Sequence, residues 1–225
     1  MRHVPHLLLE PPWSGSTIPM SEAARHHLYD VVRLGDGATV SYTDGRGRTG
    51  EGTLSSGAVL RGEEVGVGSP AAAITIAVAP PRSSERTRFL VEKLGELGIG
   101  RLVWLRTVHG NTRAPKVDKV RSWARSALEQ SRGAWLMEIQ DGLVDVEDLE
   151  GRLLVADPGG EPISPAQGDV TLLIGPEGGF VAGEVPGSPV SLGGRILRVE
   201  TAAIVGAALL RTNTTQRGDK RVATG

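Results

Sequence analysis

Side chains alternate from Thr39 through Val40, Ser41 and Tyr42 to Thr43, and Asp44-Gly45 stops the run. A period of two sorts side chains onto the two faces of a strand, and Asp-Gly beside such a run is the chemistry of a tight hairpin turn. Residues 49–54 are the returning strand. A helical period occupies residues 21–32, with Ser21 as N-cap and Leu28, Val31 and Val32 facing inward. These elements predict a small β-rich domain over residues 1–68. The stretch Gly66-Val67-Gly68-Ser69-Pro70 reads as its linker, because the strand pattern stops and restarts there.

Beyond the linker the elements lengthen. Residues 73–79 are a buried strand ended by Pro80-Pro81. Ser83 or Ser84 caps a helix whose stripe is Phe89, Leu90, Leu94 and Leu97 and which ends at Gly98 or Gly100. Residues 102–105 are the next strand. Residues 116–131 form a second amphipathic helix, with Val117, Val120, Ala124, Ala127 and Leu128 inward and Lys119, Arg121 and Arg125 on its open face. Leu153 to Ala156 is a buried strand leading into a turn at Asp157-Pro158, and Leu172-Leu173-Ile174 ends another. Residues 202–210 are a last helix, apolar all round. Strands alternating with helices predict an α/β domain over residues 71–225, a parallel sheet with crossover helices on both faces.

Two glycine-rich stretches interrupt this pattern. Gly175-Pro176-Glu177-Gly178-Gly179-Phe180 follows the strand at 172–174 directly. Its glycines permit positive φ and close approach, while Pro176 stiffens the turn. Ligands of open α/β sheets sit beyond the carboxyl ends of strands, where this loop lies, although a plain surface turn has the same composition. Leu192-Gly193-Gly194-Arg195-Ile196-Leu197-Arg198-Val199-Glu200-Thr201 repeats the grammar ahead of the last helix. The first stretch lacks the Lys-Ser/Thr of a phosphate-binding P-loop and the spacing of a dinucleotide fingerprint.

Composition narrows the chemistry further. The 225 residues carry a net charge of −1 and no cysteine, which removes disulfides, thiolate metal sites and covalent attack by a thiolate. His26 and His27 are adjacent and cannot share a helix face, so no metal site is expected. No apolar run approaches a membrane span of about 20 residues. Met1 to Leu9 is too short for a signal peptide and is soon broken by Pro11-Pro12. The expectation is a soluble, cytoplasmic protein. Charge is unevenly spread: residues 82–132 hold twelve Lys/Arg against five Asp/Glu, residues 138–169 nine acidic side chains against one Arg, and Arg211 to Arg221 is basic again. Such asymmetry fits a nucleic-acid-facing side, with solvated helix faces as the plain alternative.

Together GPEGGF and LGGRILRVETA resemble the SPOUT methyltransferases. More closely they resemble the family that methylates N3 of a uridine in 16S ribosomal RNA, whose usual wording is GPEGG followed by LG-x-RILR-x-ETA. His26-His27-Leu28 with Val31-Val32-Arg33-Leu34 resembles that family's N-terminal PUA-like barrel. Residues 89–99 resemble its KATELGV helix, and Gln130-Ser131-Arg132-Gly133-Ala134-Trp135-Leu136 its QSR-R-AWLP segment. Gly133 and Met137 stand where relatives carry Arg and Pro. Residues 181–189, with Pro186, Gly187 and Pro189, replace a full helix, and Glu184 alone survives of its acidic start.

The resemblance implies a PUA-like β-barrel ahead of a SPOUT domain with a deep trefoil knot. It also implies a homodimer, S-adenosylmethionine as cofactor, and 16S ribosomal RNA of the small subunit as partner, lying across both subunits. The cofactor would be held by Leu154 and Ala156, by Ile174, Gly175, Pro176, Glu177, Gly178 and Gly179, and by Leu192, Gly193, Ile196, Leu197, Arg198 and Thr201. Methyl transfer mainly requires positioning, but a uracil N3 must first lose its proton. Glu200 and Glu177 are the candidate bases, with Glu200 alternatively a structural residue at a helix start. Arg198 is the candidate for stabilising charge on the uracil oxygens, with Arg132 as the other possibility. Phosphate contacts are expected from Arg33, Arg82, Arg113, Arg121, Arg125 and Arg132, with Lys116 in the same basic span. The runner-up is an RNA-binding or ribosome-assembly protein of the same fold whose methylation is weakened or lost.

Overall fold

The computed structural model describes residues 4–69 and 73–212. The basic residues Lys220 and Arg221, and Pro70 of the linker, lie outside them. Contacts divide the described residues into two compact units, 4–69 with 128–135, and 73–127 with 136–212.

The first unit is a curled, mixed sheet in the order β1-β3-β4-β5-β2. Its strands are β1 (His6–Leu8), β2 (Thr17–Pro19), β3 (Thr39–Thr43), β4 (Arg48–Ser55) and β5 (Ala58–Gly66). The alternation at 39–43 forms β3, paired antiparallel with β4 across the Asp44-Gly45 turn. Leu7, Ile18, Leu28, Val40, Tyr42, Leu54 and Val59 fill the concave side. Helix α1 (Glu22–His26) starts at Ser21, whose Oγ accepts from Ala24 N at 3.2 Å. It then widens into a π-turn over His27–Val31. The wider winding turns the following side chains off the inward face, so Val31 is 61 % exposed while Leu28 stays buried. The expectation that Val31 and Val32 face the core is thereby corrected.

Residues 128–135 belong to this unit as a strap. Glu129 Oε1 accepts from Leu8 N at 2.9 Å, Ala134 O accepts from Gly47 N at 2.9 Å, and Trp135 Nε1 donates to Val67 O at 3.1 Å. His6 is buried between the strap and β3. Gly133 O can only accept, so His6 Nε2 carries the proton toward it (3.2 Å) and Nδ1 accepts from Ser41 Oγ (2.9 Å). Burial, above all, holds the His6 pKa below the ordinary histidine value, and the nearby Arg132 charge adds to it.

The second unit is a six-stranded sheet in the order β11-β9-β10-β6-β7-β8. The strands are β6 (Ile74–Val78), β7 (Arg101–Leu105), β8 (Glu138–Val144), β9 (Arg152–Pro162), β10 (Val170–Ile174) and β11 (Ser188–Ser191), all paired in parallel. Helices α2 (Ser84–Glu96), α3 (Val117–Ser131) and α4 (Val199–Arg211) complete it. Ser83 caps α2, its Oγ accepting from Arg86 N. All three helices share one apolar cluster with Ile76, Val78, Leu102, Trp104, Leu172 and Ile174. The opposite face, Ala77, Val103, Leu105 and Leu173, is closed by Val146, Leu149, Phe180 and Val185 from turns and loops. Helices therefore cover one face and not both. From β6 to β7 to β8 the crossovers step the same way across the sheet, and right-handed crossovers stepping one way land on one face.

One further expectation is corrected. Phe89 is 48 % exposed, because it sits a helical step away from the Leu90–Leu94 row, and Lys93 Nζ lies 5.9 Å from its ring. The turn expected at Asp157-Pro158 lies within β9, which continues to Pro162: Asp157 Oδ1 accepts from Gly159 N at 2.7 Å. Beyond Val155 this strand leaves β10, and its pairing with β11 skips residues 156–160 and resumes at Glu161, so the missing N–H of Pro158 breaks no ladder. Helix α4 buries Ala203, Gly206, Ala207 and Leu210, while Ile204, Val205, Ala208 and Leu209 form a half-exposed apolar side.

Candidate active site

Because the sheet is wholly parallel, the loops leaving β6, β7, β10 and β11 emerge at its carboxyl end, where α/β sheets bind ligands. The loop after β10 begins from a strand buried at every position. Pro176 is buried, whereas Glu177 and Gly178 are exposed. Gly179 closes the turn by donating to Pro176 O at 2.9 Å with φ 73°, a conformation that strains any residue with a β-carbon. Phe180 folds back, its ring 3.2 Å from where a β-carbon on Gly175 would lie.

Glu184 fastens this loop to its neighbour. Its Oε2 accepts from Val181 N at 2.7 Å and its Oε1 from Val108 N, in the loop after β7, at 2.5 Å. That tie sets His109 against the glycine loop, with Nδ1 3.3 Å from the position a Gly178 β-carbon would take. A cavity of about 540 Å³ opens here, lined by Arg82, His109, Glu177 and Gly178. No helix forms between β10 and β11.

Beside this loop the first turns of α2 and α4 bring a cation and a carboxylate together. Glu200 is 7 % exposed. Arg86 Nε stands 3.7 Å from Glu200 Oε1, and Arg86 Nη1 4.0 Å from Glu177 Oε1. The other oxygen, Glu200 Oε2, is buried with no hydrogen-bond partner among the described residues. Buried carboxylate oxygens are ordinarily hydrogen-bonded, so an oxygen with no partner among the described residues stands out at this position. The amino end of α4 also favours negative charge at this position.

The remaining sequence candidates fall into distinct places. Leu154 and Ile174 are core residues, while Ala156, Leu192 and Leu197 pack at the edge of the same cluster. Gly193 has φ 131°, and the Ile196 side chain is 91 % exposed. Arg198 is the N-cap of α4, exposed and without a side-chain capping bond, and Thr201 is exposed in the first turn. Glu177 and Glu200 meet through Arg86, whereas Arg198 lines neither of the two cavities found at this end of the sheet. Arg82, Arg113 and Lys116 line the second of these cavities, of about 290 Å³, together with Lys119, Asn111 and Trp123. Arg121 and Arg125 are exposed on α3. In the other unit, Arg33 ends the π-turn at φ 60°, and Arg132 Nη2 donates to Val4 O at 2.6 Å.

Arg86 and His109 are absent from the sequence-based candidates. One signal for both was available: each follows the carboxyl end of a strand, β6 or β7, so topology alone delivers it to the binding end. Among the described residues no group of three His, Asp or Glu could hold a metal ion, and no helix is long and apolar enough to cross a membrane.

Comparison with known proteins agrees with this architecture. The family described as the RNA methyltransferase domain matches residues 68–211. Among solved structures, a Porphyromonas gingivalis protein described as a probable rRNA-methyltransferase is 28 % identical at TM-score 0.74, covering 85 % of this chain and 90 % of its own. The ribosomal RNA small subunit methyltransferase E of Neisseria gonorrhoeae, bound to S-adenosylmethionine, is 21 % identical at TM-score 0.79, covering 92 % and 96 %. A Legionella pneumophila protein in complex with the same cofactor is 23 % identical at TM-score 0.78, covering 93 % and 97 %. No curated protein matches significantly. The chain belongs to the RNA methyltransferase domain family.

Proposed function

We propose that this member of the RNA methyltransferase family moves a methyl group from S-adenosylmethionine to N3 of a uridine in 16S ribosomal RNA of the small subunit. The observation that carries the reading is Glu200, a buried carboxylate at a helix start with one unpartnered oxygen, beside the glycine loop and within reach of Arg86.

The cofactor suits the residues present. A β-carbon on Gly179 or Gly193 would meet nothing within 4 Å, so bare backbone borders open space there. Ile174 to Gly179, Leu192, Gly193, Ile196, Leu197, Arg198 and Thr201 would hold it, with Leu154 and Ala156 as a further wall. When bound it supplies a sulfonium methyl, whose C–S bond breaks as the N3–C bond forms. The chain's own residues do the rest. Glu200 Oε2 takes the N3 proton, Arg86 holds the carboxylate, and Arg198 offsets charge on the uracil oxygens. The same reading includes a PUA-like RNA-binding domain over residues 1–68, a catalytic domain over 71–225 with a trefoil knot, a homodimer and a cytoplasmic location.

The test is methyl incorporation into small-subunit ribosomal RNA or assembled particles, with mass spectrometry locating the base. Glu200→Gln keeps the shape and removes the base, so transfer falls by a factor of about 10² to 10⁴ while cofactor affinity holds. Transfer at the parent rate, or a methyl group on another base, overturns the assignment. A second reading, an RNA-binding paralogue with weakened methylation, is favoured by the turns that replace a helix over residues 181–187. Calorimetric titration with S-adenosylmethionine separates the two, because the weakened protein gives no heat.

A further inference from the structure

We propose that the cavity of about 290 Å³ between the loop after β6 and the start of α3 is a slot for one nucleotide of single-stranded RNA, adjacent to the acceptor uridine. The proposal rests on the methyltransferase reading, since it names the neighbour of that reading's substrate. Four cations line the slot, Arg82, Arg113, Lys116 and Lys119, and no carboxylate among the described residues does. That is more positive charge than one phosphate needs, and it matches the two phosphates that flank a nucleotide. The volume lies at the lower limit of small-ligand sites, about 300 Å³, so one nucleotide fits and a duplex backbone does not.

The slot also has an apolar surface for a base. Trp123 and Pro115 are both among its lining residues. Lys119 Nζ rests 5.1 Å from the centre of the Trp123 ring and 3.2 Å from Ser84 Oγ. A phosphate draws that ammonium toward itself, and the uncovered indole then accepts a stacked base. Splayed bases on aromatic side chains are the usual mode of single-stranded RNA recognition. Arg82 lines both this slot and the larger cavity beside Glu177, so the phosphate joining the two nucleotides falls on Arg82.

The experiment uses the full chain and uridine 3′,5′-bisphosphate as probe, with an abasic sugar bisphosphate as its comparison. The uridine compound should quench tryptophan fluorescence and bind about tenfold more tightly than the abasic one. Trp123→Phe should remove the quenching while calorimetry still registers binding, and Lys119→Gln should weaken both compounds alike. Equal affinity for the two compounds, or quenching that survives in Trp123→Phe, overturns the slot. Methyl transfer and cofactor titration are run on the same samples. Methylation with no bisphosphate binding sinks the slot alone, whereas bisphosphate binding without methylation sinks the enzymatic reading alone.

Discussion

At the scale of single residues, Glu200 and Arg86 set the stability problem that function then uses. Glu200 is buried while Arg86 is half-exposed, so removing Arg86 leaves a buried carboxylate without its cation, whereas replacing both by apolar groups removes that cost. Arg86→Met should therefore lower stability by about 1–3 kcal/mol, and Arg86→Met with Glu200→Met should recover most of that loss in a double-mutant cycle read by urea denaturation. Additive losses would show that the two do not interact. His6 poses a pH problem instead. Its folded pKa is depressed, chiefly by burial, so the unfolded chain takes up a proton first as pH falls through the ordinary value of about 6.5. The wild-type melting temperature should fall from pH 7.5 toward pH 5 more steeply than that of His6→Gln, as calorimetry at several pH values would reveal.

At the scale of elements, what was legible in the sequence was local. The hairpin of β3 and β4, the caps of α1 and α2 and the apolar rows of α2 and α3 rest on neighbours a few positions apart. What was not legible depended on partners far along the chain. Strand β8 sits at a sheet edge with few buried positions, so its acidic sequence shows no clear alternation. Strand β11 is four residues long and contains Pro189, and it exists because β9 offers it an edge. The contact between Arg86 and Glu200 needs α2 and α4 to pack together, which no spacing announces. The tie made by Glu184 belongs to this class as well: the resemblance marked the residue as the remnant of a helix start, while its bonds join two loops. Glu184→Ala should release the loop carrying His109 and weaken S-adenosylmethionine binding about tenfold, since bonds to a charged acceptor contribute about 1.5–3 kcal/mol and only part of that is felt at the ligand. Hydrogen exchange should rise at residues 107–110 and 177–184 with the melting temperature little changed. Exchange confined to other segments would remove Glu184 from the site's support.

At the scale of the whole molecule, charge and apolar surface make separate demands. A net charge of −1 conceals a basic span, so RNA binding should depend on salt although the protein is almost neutral. Replacing Arg113 or Arg121 should each lower the slope of log affinity against log salt by about 0.7. Arg198→Ala should leave that slope alone and slow the transfer step, the pattern of a group acting in the transition state. The apolar surface concerns α4. One side of it is buried against the sheet, and Ile204, Val205, Ala208 and Leu209 give the other side no charged or polar group. A soluble helix normally keeps a polar face, so this one is expected to be covered by the same helix of a second chain in the proposed homodimer. Sedimentation of the wild type at micromolar concentration should give twice the chain mass of 23.7 kDa, with a melting temperature that rises with concentration. Val205→Arg changes only the half-exposed side, leaves the packed side intact, and should yield a folded monomer whose melting no longer depends on concentration. A wild type that sediments as a monomer, or a Val205→Arg protein that remains a dimer, would remove α4 from the interface.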